Sequence, residues 1–226
     1  MKKVPLILIS FLIIYANALA EQPPGNSAVI QKKRCESCHR FSKDSPPDKY
    51  LAPDLFYAGN KFQRNWLMEF LQDPVVIRQA GTLIGPGYLK GPPTRDNPHP
   101  RLTREEAGLA VEYLMSLMID GLEKGIVDDQ ALSKEEKVRV KILFERNFGC
   151  TACHKAVNLA GKPKGGISGP SLVDAGNRLN PDWIYHWLKN SGAFISKGRM
   201  PLFNLEDETA IQISKYIMTL KKENLR

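Results

Sequence analysis

Apolar residues recur three and four positions apart in several stretches of this chain, which is the spacing of one helical face. Arg64–Gln72 and Asp182–Asn190 are predicted as helices in this way, as are segments ending near Met118 and near Lys222. Start signals accompany some of them. Thr103 with Glu106 has the pattern of a capping box. Ser133 precedes Glu135-Glu136 and a helix expected to carry Val138, Ile142 and Leu143 on one side. Asn204 is read as the cap of the last helix, and Asn26 or Ser27 as the cap of a short helix running into Cys35. No run demands a β-sheet. The fold class expected is all-α, with helices joined by long loops.

The pattern occurs twice. Ala52-Pro53-Asp54-Leu55 is answered by Gly169-Pro170-Ser171-Leu172, and Ala58-Gly59-Asn60 by Ala175-Gly176-Asn177. Trp66 with Leu71 is answered by Trp183 with Leu188, again 117 residues later. Ala110, Tyr113, Leu114 and Leu117 then match Ile213, Tyr216, Ile217 and Leu220 at an offset of 103. Such self-similarity decides architecture before any single motif does. It predicts two domains, residues 21–120 and 133–226, with residues 121–132 as a polar, glycine-containing linker. Each would hold about 100 residues, which is small for an apolar core unaided.

The chemistry also occurs twice. Cys35-Glu36-Ser37-Cys38-His39 and Cys150-Thr151-Ala152-Cys153-His154 contain all four cysteines of the chain. Cys-x-x-Cys-His is the attachment pattern for c-type haem. Thiols three positions apart lie on neighbouring faces of one helical turn, where both can form thioethers, and the next residue offers its imidazole to iron. Two rival readings exist. A Cys-x-x-Cys pair can be a redox dithiol, but no thioredoxin-like strand–helix unit surrounds either copy. Two pairs can bind zinc, but these stand much further apart than the roughly 15–20 residues of a zinc ribbon.

These motifs and the repeat resemble the class I cytochromes c, specifically those with two fused haem domains, over nearly the whole chain beyond residue 20. The resemblance implies two tandem domains, each wrapped around one covalent haem c, with the first and last helices of each crossing beside it. It implies Cys35, Cys38, Cys150 and Cys153 as thioether residues and His39 and His154 as iron ligands. Pro53 and Pro170 match the family proline whose carbonyl holds the other nitrogen of that histidine. The family's usual sixth ligand is a thioether before the last helix, and Met200 in Lys197-Gly198-Arg199-Met200-Pro201 stands there. The first domain departs from this pattern. Its loop reads Asn97-Pro98-His99-Pro100 and has no methionine, so its iron is expected to take His39 and His99. Met68, Met115 and His186 are read as helix residues rather than ligands, and Trp66 and Trp183 as core or haem-wall residues.

Residues 1–20 read as an export signal: Lys2 and Lys3, a short apolar run, then Ala18-Leu19-Ala20. The run is shorter than the roughly 20 residues a spanning helix needs, so removal is expected rather than a transmembrane anchor. Export suits the resemblance, because c-type haem is attached outside the bacterial cytoplasm. The chain carries a net charge of +8, with the excess in the second domain, where Lys155, Lys162, Lys164, Lys197 and Arg199 flank the ligand residues. An acidic electron acceptor docking near that domain is the partner expected, and no nucleic acid. The expected function is periplasmic electron transfer, not catalysis, with the bis-histidine haem at lower potential than the histidine–methionine haem. Two alternatives stay open. One is a haem enzyme such as a peroxidase with a labile His99, the other a fixed cytochrome subunit of a respiratory complex. The 16 extra residues between Trp66 and His99, mostly in Val75–Pro93, are expected to fold over the first haem edge or against the second domain.

Overall fold

The computed structural model describes residues 27–46, 50, 52–80, 99–195 and 198–225. Residues 1–20, read above as an export signal, Asn26 and most of the long loop therefore lie outside the described residues. The fold is mostly helical. In the first half α1 spans Ser27–Lys32, α2 Ala58–Lys61, α3 Arg64–Gln72 and α4 Arg104–Ser116. In the second half α5 spans Lys134–Ile142, α6 Ala175–Arg178, α7 Pro181–Asn190 and α8 Asp207–Met218. Among the described residues, no helix is long and apolar enough to cross a membrane.

Each half encloses its own core. In the first, α1 and α3 pack on α4, and Val29, Ile30, Leu67, Leu71, Ala110 and Leu114 fill the space between them. In the second, α5 and α7 pack on α8 around Val140, Phe144, Leu188, Ile213 and Ile217. The matched residues of α4 and α8 supply the inward faces, as their spacing requires. Both capping boxes form: the Thr103 and Ser133 hydroxyls accept the amides of Glu106 and Glu136, whose carboxylates reach back to the cap amides.

Four expectations need correction. Val138 and Ile142 are exposed, and the inward face of α5 is Val140 and Phe144. The helix widens there into a π-turn, Leu143–Asn147, closed by Phe148 N–H on Leu143 O at 2.9 Å. Asn204 does not cap α8. It is left-handed, φ 47°, and turns the chain two residues before the cap, which is Glu206. A two-stranded antiparallel hairpin, β1 Lys155–Val157 and β2 Pro163–Gly165, interrupts the helices. Three-residue strands are too short to leave an alternation in sequence; the Asn158 side chain, accepting two amides, and Gly161 at φ 75° make the turn. Finally, the linker is not wholly polar. Val127 is buried in the second core, and Asp182 accepts the amides of Gly125 and Val127.

The halves meet in contacts that come in exchange-related pairs. Phe62 bridges Leu179. Gln63 N–H donates to Arg178 O and Asn180 N–H to Lys61 O, each at 2.9 Å. The Gln63 side chain reaches Leu179 O at 2.7 Å, while that of Asn180 reaches Phe62 O at 3.3 Å. Adding 117 to one partner's number gives its equivalent, so the seam has the form of an isologous interface within one chain. Beside it Tyr57, Trp183 and Phe194 form an aromatic cluster, with the Tyr57 and Trp183 centroids 4.5 Å apart.

Two glycines let the short helices α2 and α6 pack directly against the ends of α4 and α8. Gly59 and Gly176 donate to Leu117 O and Leu220 O at 2.8 Å. A Cβ on either would strike the carbonyl of Met115 or Met218. Backbone cannot yield as a side chain can. Gly176→Ala should therefore cost about 1–3 kcal/mol in chemical denaturation, whereas Gly108→Ala, with nothing within 4 Å, should be neutral or stabilising.

Candidate haem centres

Each Cys-x-x-Cys-His stretch opens on a left-handed residue, Arg34 at φ 54° and Gly149 at φ 61°. One tight turn follows, Cys35–Ser37 or Cys150–Ala152, and the amides of His39 and His154 reach back to the first cysteine's carbonyl at 3.0 and 2.9 Å. Glycine adopts this backbone freely; for Arg34 it costs about 1–2 kcal/mol. The four thiols are free, with Cys35 and Cys150 half-buried and Cys38 and Cys153 exposed. Burial raises Cys35 and pushes Cys150 up to about 11. A reactive thiol is held in the opposite direction. Among the described residues, no three His, Cys, Asp or Glu side chains converge as a metal cage.

The two histidines are held alike. His39 Nδ1 lies 2.7 Å from Pro53 O, and His154 Nδ1 lies 2.8 Å from Pro170 O. With its proton on Nδ1 the ring donates to the carbonyl, and Nε2 is left as a lone-pair donor of fixed direction. Burial lowers both groups below the ordinary histidine range, which favours the neutral, ligating form. Gly169 lies flat against the second ring: a Cβ there would sit 2.6 Å from His154 Cε1.

In the first half His39 and His99 flank one cavity. Their centroids are 6.2 Å apart with the planes at 67°. Two imidazoles bound at about 2 Å to one metal from opposite sides put their centroids roughly 6 Å apart. The cavity is lined by Val29, Cys35, Phe41, Leu71, Leu102 and Leu114 besides the two histidines. An apolar slot with a thiol on its wall and imidazoles at its poles fits a planar macrocycle attached through Cys35. The edge of Phe70 props the His99 ring, centroids 5.2 Å apart, and His99 Nδ1 lies 3.0 Å from Pro100 O. Met68 and Met115 pack against the first core and do not line this cavity.

In the second half Cys150 and Met200 pack against the same core. Met200 Sδ accepts the Trp187 indole N–H at 3.0 Å. His186 is placed elsewhere, its Nε2 2.9 Å from Glu123 O, where it ties α7 to the linker. Sequence reasoning missed Trp187, Arg78 and the buried pair Arg40–Asp54. Only Asp54 left a signal, by following Pro53 in the repeated block.

Residues 138–221 match the family model described as Cytochrome c. No curated protein and no solved structure gives a significant match to the chain. The second half is thus similar to cytochrome c, which supports a c-type cytochrome with covalently bound haem and a haem-based electron-transfer role.

Proposed function

We propose that this chain is an exported, periplasmic protein of two tandem haem domains, a dihaem electron carrier and not an enzyme. The observation that carries this reading is the placement of His39 and His99 about one apolar cavity with Cys35 on its wall. In the second half, His154 held on Pro170 O, with Cys150 and Met200 packed against one core, supports a second centre. Cys35 with Cys38, and Cys150 with Cys153, would hold the two haems. His39 and His99 would ligate the first iron, His154 and Met200 the second. When bound, each haem supplies a one-electron iron couple. The protein's part is to fill both axial positions and exclude water. Histidine–methionine ligation gives the higher potential, so transfer runs downhill from the first half to the second.

An acidic partner would dock on the second half. There the hairpin exposes Lys162 and Lys164, while Lys155 is engaged by Gln79 Oε1 at 2.6 Å. The docking face is therefore narrower than the basic residues of the sequence imply.

Mass measurement under denaturing conditions should give two covalent haems, and spectroscopic redox titration two centres of different potential. Met200→His should lower only the higher potential and abolish the near-infrared thioether band of the ferric form. His99→Ala should open the first centre to carbon monoxide. A mass with one haem, or none, would remove the reading.

A further inference from the structure

The segment after α3 leaves its own half and runs along the other. Ser171 N–H donates to Ile77 O at 2.7 Å, and the Arg78 guanidinium donates to Ser168 O at 2.8 Å. Arg199, next to Met200, donates to the same oxygen at 3.0 Å. Two guanidinium groups thus share one carbonyl, two residues before the Pro170 oxygen that holds His154.

More positive charge lies nearby. Arg178 is buried and donates to Ser171 O at 2.6 Å; its Nε has no hydrogen-bond partner and stands 3.7 Å from Asp174. Lys61, the equivalent of Arg178 in the repeat, lies over the rings of Phe62 and Trp183 at 4.9 and 5.8 Å. Against Arg78, Arg178 and Lys61, only Asp174 forms an ion pair among the described residues. Asp54 is engaged by Arg40. The charges act on one another: burial holds Arg78 down to about 10, with Arg199 adding to it, and burial holds Lys61 down to about 7, with Arg178 and then Arg78 opposing its charge. Arg78 and Arg178 also act on His154, so they lie within reach of that ligand's field.

Arg78 and Lys61 have no ion-pair partner among the described residues and Arg178 has only Asp174 at 3.7 Å; buried cations so little compensated are costly, and a carboxylate placed among them offsets the cost. A haem carries two carboxylates. We propose that Arg78 of the first half, together with Arg178 and Arg199 of the second, receives a carboxylate of the second haem, so that the second centre is completed by the first half. This rests on the two-haem reading. It gives the strap of residues 75–80 a role: it carries a positive charge from one half to the iron environment of the other.

The test is redox titration of the fully loaded protein, resolving the two centres by their spectra. Arg78→Gln removes a positive charge near the second iron, which favours the ferric state. The potential of the second centre should fall and acquire a dependence on pH as its carboxylate titrates, while the first centre stays where it was. Arg78→Lys should restore most of the potential. An unchanged second potential, or an equal fall at both centres, would overturn the proposal. A free oxyanion is tested by repeating the wild-type titration in phosphate and in a non-coordinating buffer at equal ionic strength. A potential that depends on phosphate in the wild type but not in Arg78→Gln would also overturn it. Should Arg78→Gln lose the second haem, the pH profile of Arg78→Lys carries the test: a displaced carboxylate titration is expected, and a profile identical to wild type is the contrary result. A mass showing one haem would end the two-haem reading; two haems with unmoved potentials would end only this inference.

Discussion

Cys38→Ser should abolish attachment of the first haem and with it much of the first half's structure, and Cys153→Ser should do the same to the second. Both thiols are exposed, so their own packing contributes little and the replacements are nearly isosteric. Any large effect must come through the haem. Its size follows from the cavity, whose apolar lining of Val29, Leu71, Leu102 and Leu114 would pack on the haem and is left without those partner atoms when the haem is lost. A domain's whole stability is only about 5–15 kcal/mol. The first half, with a core of small extent between three helices, would not remain folded. Mass under denaturing conditions should show one haem fewer, and hydrogen exchange should show protection lost in the affected half. Two haems and an unchanged unfolding transition in Cys38→Ser would show that the cavity is not a haem site.

What the sequence made legible was what is local or repeated. The attachment motifs sit in a single turn, and the capping boxes span four residues, so spacing alone identifies them. The offset of 117 located Pro53 and Pro170 and both middle helices. His99 was singled out because the repeat aligned it near Met200 and no methionine competed, and the structure places its ring 6.2 Å from that of His39. The remainder depends on distance in space. The seam's hydrogen bonds between the equivalent turns all end on backbone carbonyls, and a peptide group leaves no trace in sequence. Val138 and Ile142 had the right spacing for an inward face, but Val140 and Phe144 have the same spacing, and it is that pair which is buried. Asn204 is a good capping residue that is spent on a left-handed bend instead. Arg78 looked like one more loop cation. Its meaning appears only when the strap lies along Ser168 and Ser171 of the other half.

Asp54→Asn should destabilise the first half by about 3–5 kcal/mol, the usual cost of removing one partner from a buried ion pair. Arg40 and Asp54 are 7 % and 5 % exposed and form a direct guanidinium–carboxylate contact. The guanidinium also donates to Ser45 O at 3.1 Å and lies over the Phe56 ring at 4.8 Å. The asparagine keeps the shape and one acceptor but not the charge, so Arg40 would be left buried and uncompensated. The effect should reach the site, because Asp54 follows the proline whose carbonyl orients His39, and Leu55 N–H is bonded to Arg40 O at 2.8 Å. Loosening that loop frees the imidazole, and the first centre should show a mixed ligation state in its ferric spectrum. The second half has Lys155 and Ser171 at the equivalent positions, with no such pair, so its spectrum should not move. Replacing both partners by apolar residues, Arg40→Met with Asp54→Leu, should recover much of the loss, because the charge is removed along with its counter-charge. Chemical denaturation followed by haem absorbance separates the cases. A loss below about 1 kcal/mol for Asp54→Asn would place the pair among solvated surface ion pairs and leave the orientation of His39 to the Pro53 carbonyl alone.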